Sequence, residues 1–443
     1  MGDARTLTDT ILAELNKAGL NPSKILSQVY DGASLMSGKF GGVQKLLQEK
    51  LNKNIPYVHC LNHQLHLVVV HAMSAEEAVM DFFKVCNALY KYCKKPTIAV
   101  HYKGERLKRL LEQRWTGHFA TVSVLLNNFK DITSLLTEID SVRAHGTELR
   151  MEAVGLLREI TAPSFLFIAN LVHEVLALLD PPNKLLQREE TDLWTGLDIV
   201  ASAKACVQKL RCDEGFTKVW EKATADELPK STTPKRRRTG KKNMDDYFVE
   251  ETTGQRENDM ETELKRLYYS TVDSVVGEMD QRFGERKSHL YRALNALDPK
   301  SDLFLDPKTV KHIMDLTQSP IVDAEFEVAK HFLRSQKESK TEGDNWTTKF
   351  VLSKYHTVLQ TMPSVLTAFK HALTFGASTA TCENSFSSLR NVFSDHRRSM
   401  LHKRKAQLVQ LAFEMDLTRK CTTEWKDTVL RRFNNHTRRL QLF

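Results

Sequence analysis

The chain has 443 residues, room for two or three domains, and 41% of them are hydrophobic, which excludes a wholly disordered polymer. The net charge of +9 favours an anionic partner such as nucleic acid, and it equally suits an ordinary basic enzyme. Seven scattered cysteines fit a reducing compartment better than a disulfide scaffold, and the opening MGDARTLTDT lacks the basic-then-apolar pattern of a secretory leader.

In chain order, Leu7, Ile11, Leu15 and Ala18 recur at helical spacing, with Gly19 placed as a C-cap. Residues 25–30 (ILSQVY) read as a strand that stops at Asp31-Gly32-Ala33-Ser34. A helix follows with Val43, Leu46, Leu47 and Leu51 on one face. Then come a second short strand at 55–60 (IPYVHC) and a helix over 61–73. This alternation predicts an α/β layer. From about Phe82 to Cys212 leucine-rich helical periodicity replaces the strand signals. The most apolar run, 164–180, carries Asn170, His173 and Glu174 and reads as a buried helix too short to span a bilayer, so no membrane association is expected. A polar, basic stretch at about 224–258 reads as a disordered loop. Helices resume at 261–332 and again at 355–375, broken at Met362-Pro363, and a long terminal helix is expected to close the chain.

Three local groups carry candidate chemistry. Asp31 ends a strand and is followed by small residues, where open α/β sheets place their sites; it also reads simply as the start of an Asp-Gly turn. Glu383, in STATCENSFSSLRNVF, falls in the first turn of a helix whose Phe386, Leu389 and Phe393 form a stripe for burial. An acid there is favoured by the helix dipole, whether it serves a site or only complements the dipole. Cys60, His63 and His66 have metal-like spacing, but no second pair completes a four-ligand zinc site, so no metal is assigned.

Taken together and in order, these segments resemble the hAT superfamily of DNA transposases and its domesticated relatives, in particular the transposase-like region of zinc finger MYM-type proteins of the type 1-like group. YDGASLMSG resembles the segment around the family's second catalytic acid, giving Asp31. VHCLNHQLHL resembles its Cys-x-x-His segment, giving Cys60 and His63 as site-lining residues. QRWTGHF resembles its Arg-Trp element, giving Arg114 and Trp115. STATCENSFSSLRNVFSDHRRSML resembles the C-terminal dimerisation segment and supplies a further acid, Glu383.

The resemblance implies an RNase H-like fold split by a large all-α insertion. The divisions would be 1–81 for a partial RNase H-like sheet, 82–345 for the insertion, and 346–443 for the C-terminal RNase H-like helix and dimerisation region. It implies a magnesium-dependent strand-transfer chemistry in which paired ions held by three carboxylates clamp the attacking and leaving oxygens. Trp115, with Arg114, would contact DNA by stacking on a flipped base. The family's first acid lies on a strand several tens of residues before the Asp31 position. Here Met1 stands only 30 residues before it, and Asp3 and Asp9 precede or lie in a helix. The expectation is therefore a catalytically inactive protein that needs no cofactor.

The C-terminal segment is basic, with 13 Lys and Arg against five Asp and Glu from Asn384 to Phe443. Arg397, Arg398, Lys403 and Arg404 are the expected DNA contacts, through salt-sensitive phosphate binding. Phe386, Leu389, Leu408 and Leu411 are the expected dimerisation residues. Lys235, Arg236, Arg237, Arg238, Lys241 and Lys242 form a basic cluster that reads as a nuclear import signal, which places the protein in the nucleus. Two other readings stay open on the same residues: a fragment of an active hAT transposase with metal-dependent strand cleavage, and a nuclear scaffold that binds proteins and no DNA.

Overall fold

The computed structural model describes residues 3–108, 117–142, 146–188, 191–224, 260–284, 289–338, 346–393 and 400–435. Among these the chain is mostly helical, with two strands of three residues each. β1 (Gln28–Tyr30) and β2 (Tyr57–His59) pair in parallel, with Val29 opposite Val58 and Tyr30 opposite His59. The strands are shorter than the sequence suggests. Pro22 opens a 3-10 turn at Pro22–Lys24 ahead of β1, and Pro56, with no N–H to give a ladder, immediately precedes β2. The larger α/β sheet expected from the sequence is this ribbon alone among the described residues.

Helices surround the ribbon. Ala4–Lys17 is capped by Asp3, whose side chain accepts from the Thr6 N–H, and it packs on Val43–Leu51. Leu61–Ser74 begins directly after β2 and packs against Met260–Phe283. The middle of the chain is helical, as its periodicity predicts. Its centre is Pro163–Leu186, which buries Phe165 to Ala169, Leu171, Val172, Val175, Leu176 and Leu179. That helix runs to 24 residues, longer than the apolar run suggested, and is long and apolar enough by length and composition to cross a membrane. Here its neighbours are helices: Glu77–Cys93, His118–Asn127, Leu193–Lys209 and Asp213–Thr224. Each leucine- or phenylalanine-sized side chain buried there contributes about 1.5 to 3 kcal/mol. Most of the buried apolar residues form one cluster, which runs in sequence from Val58 to Ala377.

Residues 374–379 are the seam between ribbon and helices. The Phe375 carbonyl accepts from the Leu193 N–H at 2.9 Å, Gly376 bridges Asp192, and the Ala377 carbonyl accepts from the Leu61 N–H at 2.9 Å. The Ser378 hydroxyl donates to the Leu186 carbonyl at 2.5 Å. Gly196 permits this approach, since a Cβ there would stand 3.0 Å from both Ala377 and Leu61.

The end of the chain departs from expectation. The single long terminal helix is three: His402–Phe413, Met415–Thr422 and Lys426–Asn434. The backbone leaves the helical region at Glu414 (ψ 56°) and again at Thr423 (φ −114°, ψ −86°), the second break coming at a pair of β-branched threonines.

Candidate functional site

Asp31 follows β1 and is exposed; its Oδ1 accepts from the Ala33 N–H at 3.2 Å, closing the turn that its sequence also predicts. Gly32 holds φ at +85°, and a Cβ there would lie 2.5 Å from His59 Nε2, so this position requires glycine twice over. His59 Nε2 sits 3.2 Å from the Asp31 carbonyl. A carbonyl only accepts, so this nitrogen carries the proton. Burial, then the neighbouring His63, holds the His59 pKa below its ordinary value and favours the neutral ring.

His59 belongs to a row of rings. Tyr30 and Tyr57 lie 6.1 Å apart between centroids, Tyr57 and His59 6.3 Å, His59 and His63 5.7 Å, and His63 and His66 6.1 Å. The row crosses one face of the ribbon and continues along the first turns of Leu61–Ser74, where the three-residue spacing of His63 and His66 puts them on one side.

Cys60 joins this row to the C-terminal part. Its N–H donates to the Tyr30 carbonyl at 2.8 Å, and its fully buried sulfur accepts from the Thr379 N–H at 3.3 Å and hydroxyl at 3.4 Å. Thr379 precedes the helix Ala380–Val392, and the Glu383 N–H donates back to the Thr379 carbonyl at 3.1 Å, which places Glu383 in the first turn. Cys60 thus ties Tyr30, the residue before Asp31, to Thr379, four residues before Glu383. Arg114 and Trp115 lie outside the described residues, as do Arg397, Arg398 and the basic cluster from Lys235 to Lys242.

Magnesium takes near-octahedral oxygen coordination, and a two-ion centre needs carboxylates shared between the ions. Among the described residues no three His, Cys, Asp or Glu side chains converge as a metal would require. Asp31 and Glu383 are both exposed, and Asp31 spends one oxygen on its own turn.

The helices after the seam are exposed. Ala380–Val392 buries only Ala380 and Val392, and no residue is buried in the next three helices among those described. The stripe expected to be buried is open: Phe386 is 64% exposed, Phe393 is exposed and Leu389 is half-buried. Leu411 is 50% exposed and Leu408 half-buried. A groove of about 320 Å³ runs between Ala380–Val392 and His402–Phe413, lined by Leu389, Phe393, Val409 and Phe413, with the Lys405 ammonium 4.1 Å from the Phe393 ring centre. Lys403 and Arg404 stand exposed on the same helix.

Residues 333–415 match the hAT family C-terminal dimerisation region. The match takes in the seam, the helix bearing Glu383 and the open apolar groove. It supports a hAT transposase-related chain that self-associates. A hAT dimerisation region with its apolar side chains open is what a single copy presents before its partner is in place. One further group went unremarked in the sequence: Lys94, Arg106 and Lys108 meet at one cavity, and the density of basic residues among tyrosines over 90–108 was the available signal.

Proposed function

We propose that this chain is a domesticated hAT-type protein of the zinc finger MYM-type kind that pairs with a second copy, associates with DNA in the nucleus and does not cut it. The observation that carries the pairing is the exposure of Phe386 and Leu411 within a region that matches the hAT dimerisation model. Two charged side chains turned to solvent, Lys403 and Arg404, lie beside that groove and suit a phosphate backbone shared between two copies. The ribbon and the helix bearing Glu383 are read as the remaining parts of an RNase H-like sheet, with the central helices as its insertion. The absence of cutting is supported by the donor set, two exposed carboxylates where paired ions need bridging ones.

The test is a DNA-binding titration against salt on the purified full chain, run alongside a nicking assay with magnesium. Binding that weakens linearly in log salt, with intact DNA recovered, is the expected result. Magnesium-dependent nicking that Asp31→Ala abolishes contradicts the non-cutting reading, and no binding at low salt contradicts the association with DNA.

A further inference from the structure

A cavity of about 690 Å³ opens between the end of Glu77–Cys93 and the loop that follows His101. Tyr90, Cys93, Lys94, Tyr102, Arg106 and Lys108 line it. Its size lies within the range of small-ligand sites. The loop is held in place rather than draped. The Tyr102 hydroxyl donates to the Glu105 carbonyl at 2.8 Å, and the Glu105 N–H donates to Asn128 Oδ1 at 2.8 Å. Asn128 is itself buried and donates to the Val124 carbonyl at 2.8 Å. Gly104 is needed for this fit, because a Cβ there would lie 2.6 Å from Asn128 Oδ1 and 2.7 Å from the Tyr102 oxygen.

Leu107 is buried, whereas its neighbours Arg106 and Lys108 are exposed, and all three line the cavity. Lys94 faces them from the helix end, its ammonium 5.8 Å from the Tyr90 ring centre. Nearby Lys95 pairs with Glu152, whereas no carboxylate lies within ion-pair reach of Lys94, Arg106 or Lys108 among the described residues. Cations gathered at one cavity repel one another, and an anion between them relieves that cost.

We infer that this cavity holds one unpaired nucleotide of a DNA strand, its base against Tyr90 and Tyr102 and its phosphate between Lys94, Arg106 and Lys108. Aromatic faces accept any base, and the surrounding cations track the backbone. The inference rests on the DNA association proposed above and gives it a location distinct from the C-terminal basic helix.

The test is fluorescence anisotropy of a labelled single-stranded oligonucleotide with the full chain. The variants are Arg106→Ser with Lys108→Ser, and, separately, Lys403→Ser with Arg404→Ser; all four positions are exposed. The first pair lowers affinity by about tenfold or more and reduces the log–log salt slope by about 1.4, two phosphate contacts at about 0.7 each. An unlabelled single strand competes better than polyglutamate of equal charge, and a free mononucleotide competes weakly. Unchanged binding in the first pair, with wild type still binding, overturns this site alone. Wild type that binds no DNA overturns the broader association as well. Equal competition by polyglutamate overturns the base contact, and tight mononucleotide binding without strand binding overturns the strand as ligand.

Discussion

The Cys60 sulfur accepts two hydrogen bonds from Thr379, 319 residues further along the chain, at 3.3 Å from the N–H and 3.4 Å from the hydroxyl. Since the Cys60 N–H also donates to the Tyr30 carbonyl, Cys60 links the end of β1 to the start of the helix bearing Glu383. Cys60→Ala leaves the Thr379 donors without their acceptor in a half-buried place, which costs about 1 to 3 kcal/mol. Urea denaturation of the variant checks this. A stability within 0.3 kcal/mol of wild type, taken as roughly the scatter between independent sites, would show that the contact holds nothing together.

Gly32 and Gly19 both have positive φ, +85° and +74°, but only Gly32 faces another side chain. Gly19→Ala meets nothing within 4 Å and loses only the left-handed backbone preference, about 1 to 2 kcal/mol. Gly32→Ala adds a collision with the His59 ring, so it costs more than Gly19→Ala and moves that ring off the Asp31 carbonyl. Proton NMR titration of His59 reads the difference: the Asp31 carbonyl favours the protonated ring, so its loss moves the His59 pKa further down in Gly32→Ala and leaves it unchanged in Gly19→Ala. An unmoved His59 titration in Gly32→Ala contradicts the contact.

Burial lowers the pKa of His59, His173, His312 and His371 in the folded chain. A base whose folded pKa lies below its unfolded value contributes stability that is complete above the unfolded value, near 6.5, and lost as pH falls from there toward the folded one. The protein therefore loses stability on acidification already below about pH 6.5, above the carboxylate range. Thermal melts between pH 7.5 and pH 5 measure it, and a flat profile across that window contradicts the assignment.

Local structure was legible where periodicity and punctuation agree. The helix expected over 61–73 is Leu61–Ser74, and the two short strands appear where β-branched and aromatic residues cluster, trimmed by Pro22 and Pro56. Long-range placement was not legible. Nothing in Phe375-Gly376-Ala377 announces a seam bonded to Leu61 on one side and Leu193 on the other, because those bonds use backbone groups that every residue carries. The stripe of Phe386, Leu389 and Phe393 reads as a face for burial, and its apolar spacing has the same pattern whether the covering surface is the same chain or another copy. The basic cavity was missed because Lys94 and Arg106 converge only after the chain turns at residues 96–104.

Self-association through the open C-terminal helices is tested most directly by sedimentation velocity of the full-length protein at micromolar concentration. Wild type sediments at twice the chain mass, and Phe386→Glu combined with Leu411→Glu sediments at a single chain mass with unchanged far-ultraviolet circular dichroism. A wild type that sediments as a single chain, or a double variant that still sediments as a pair, contradicts it.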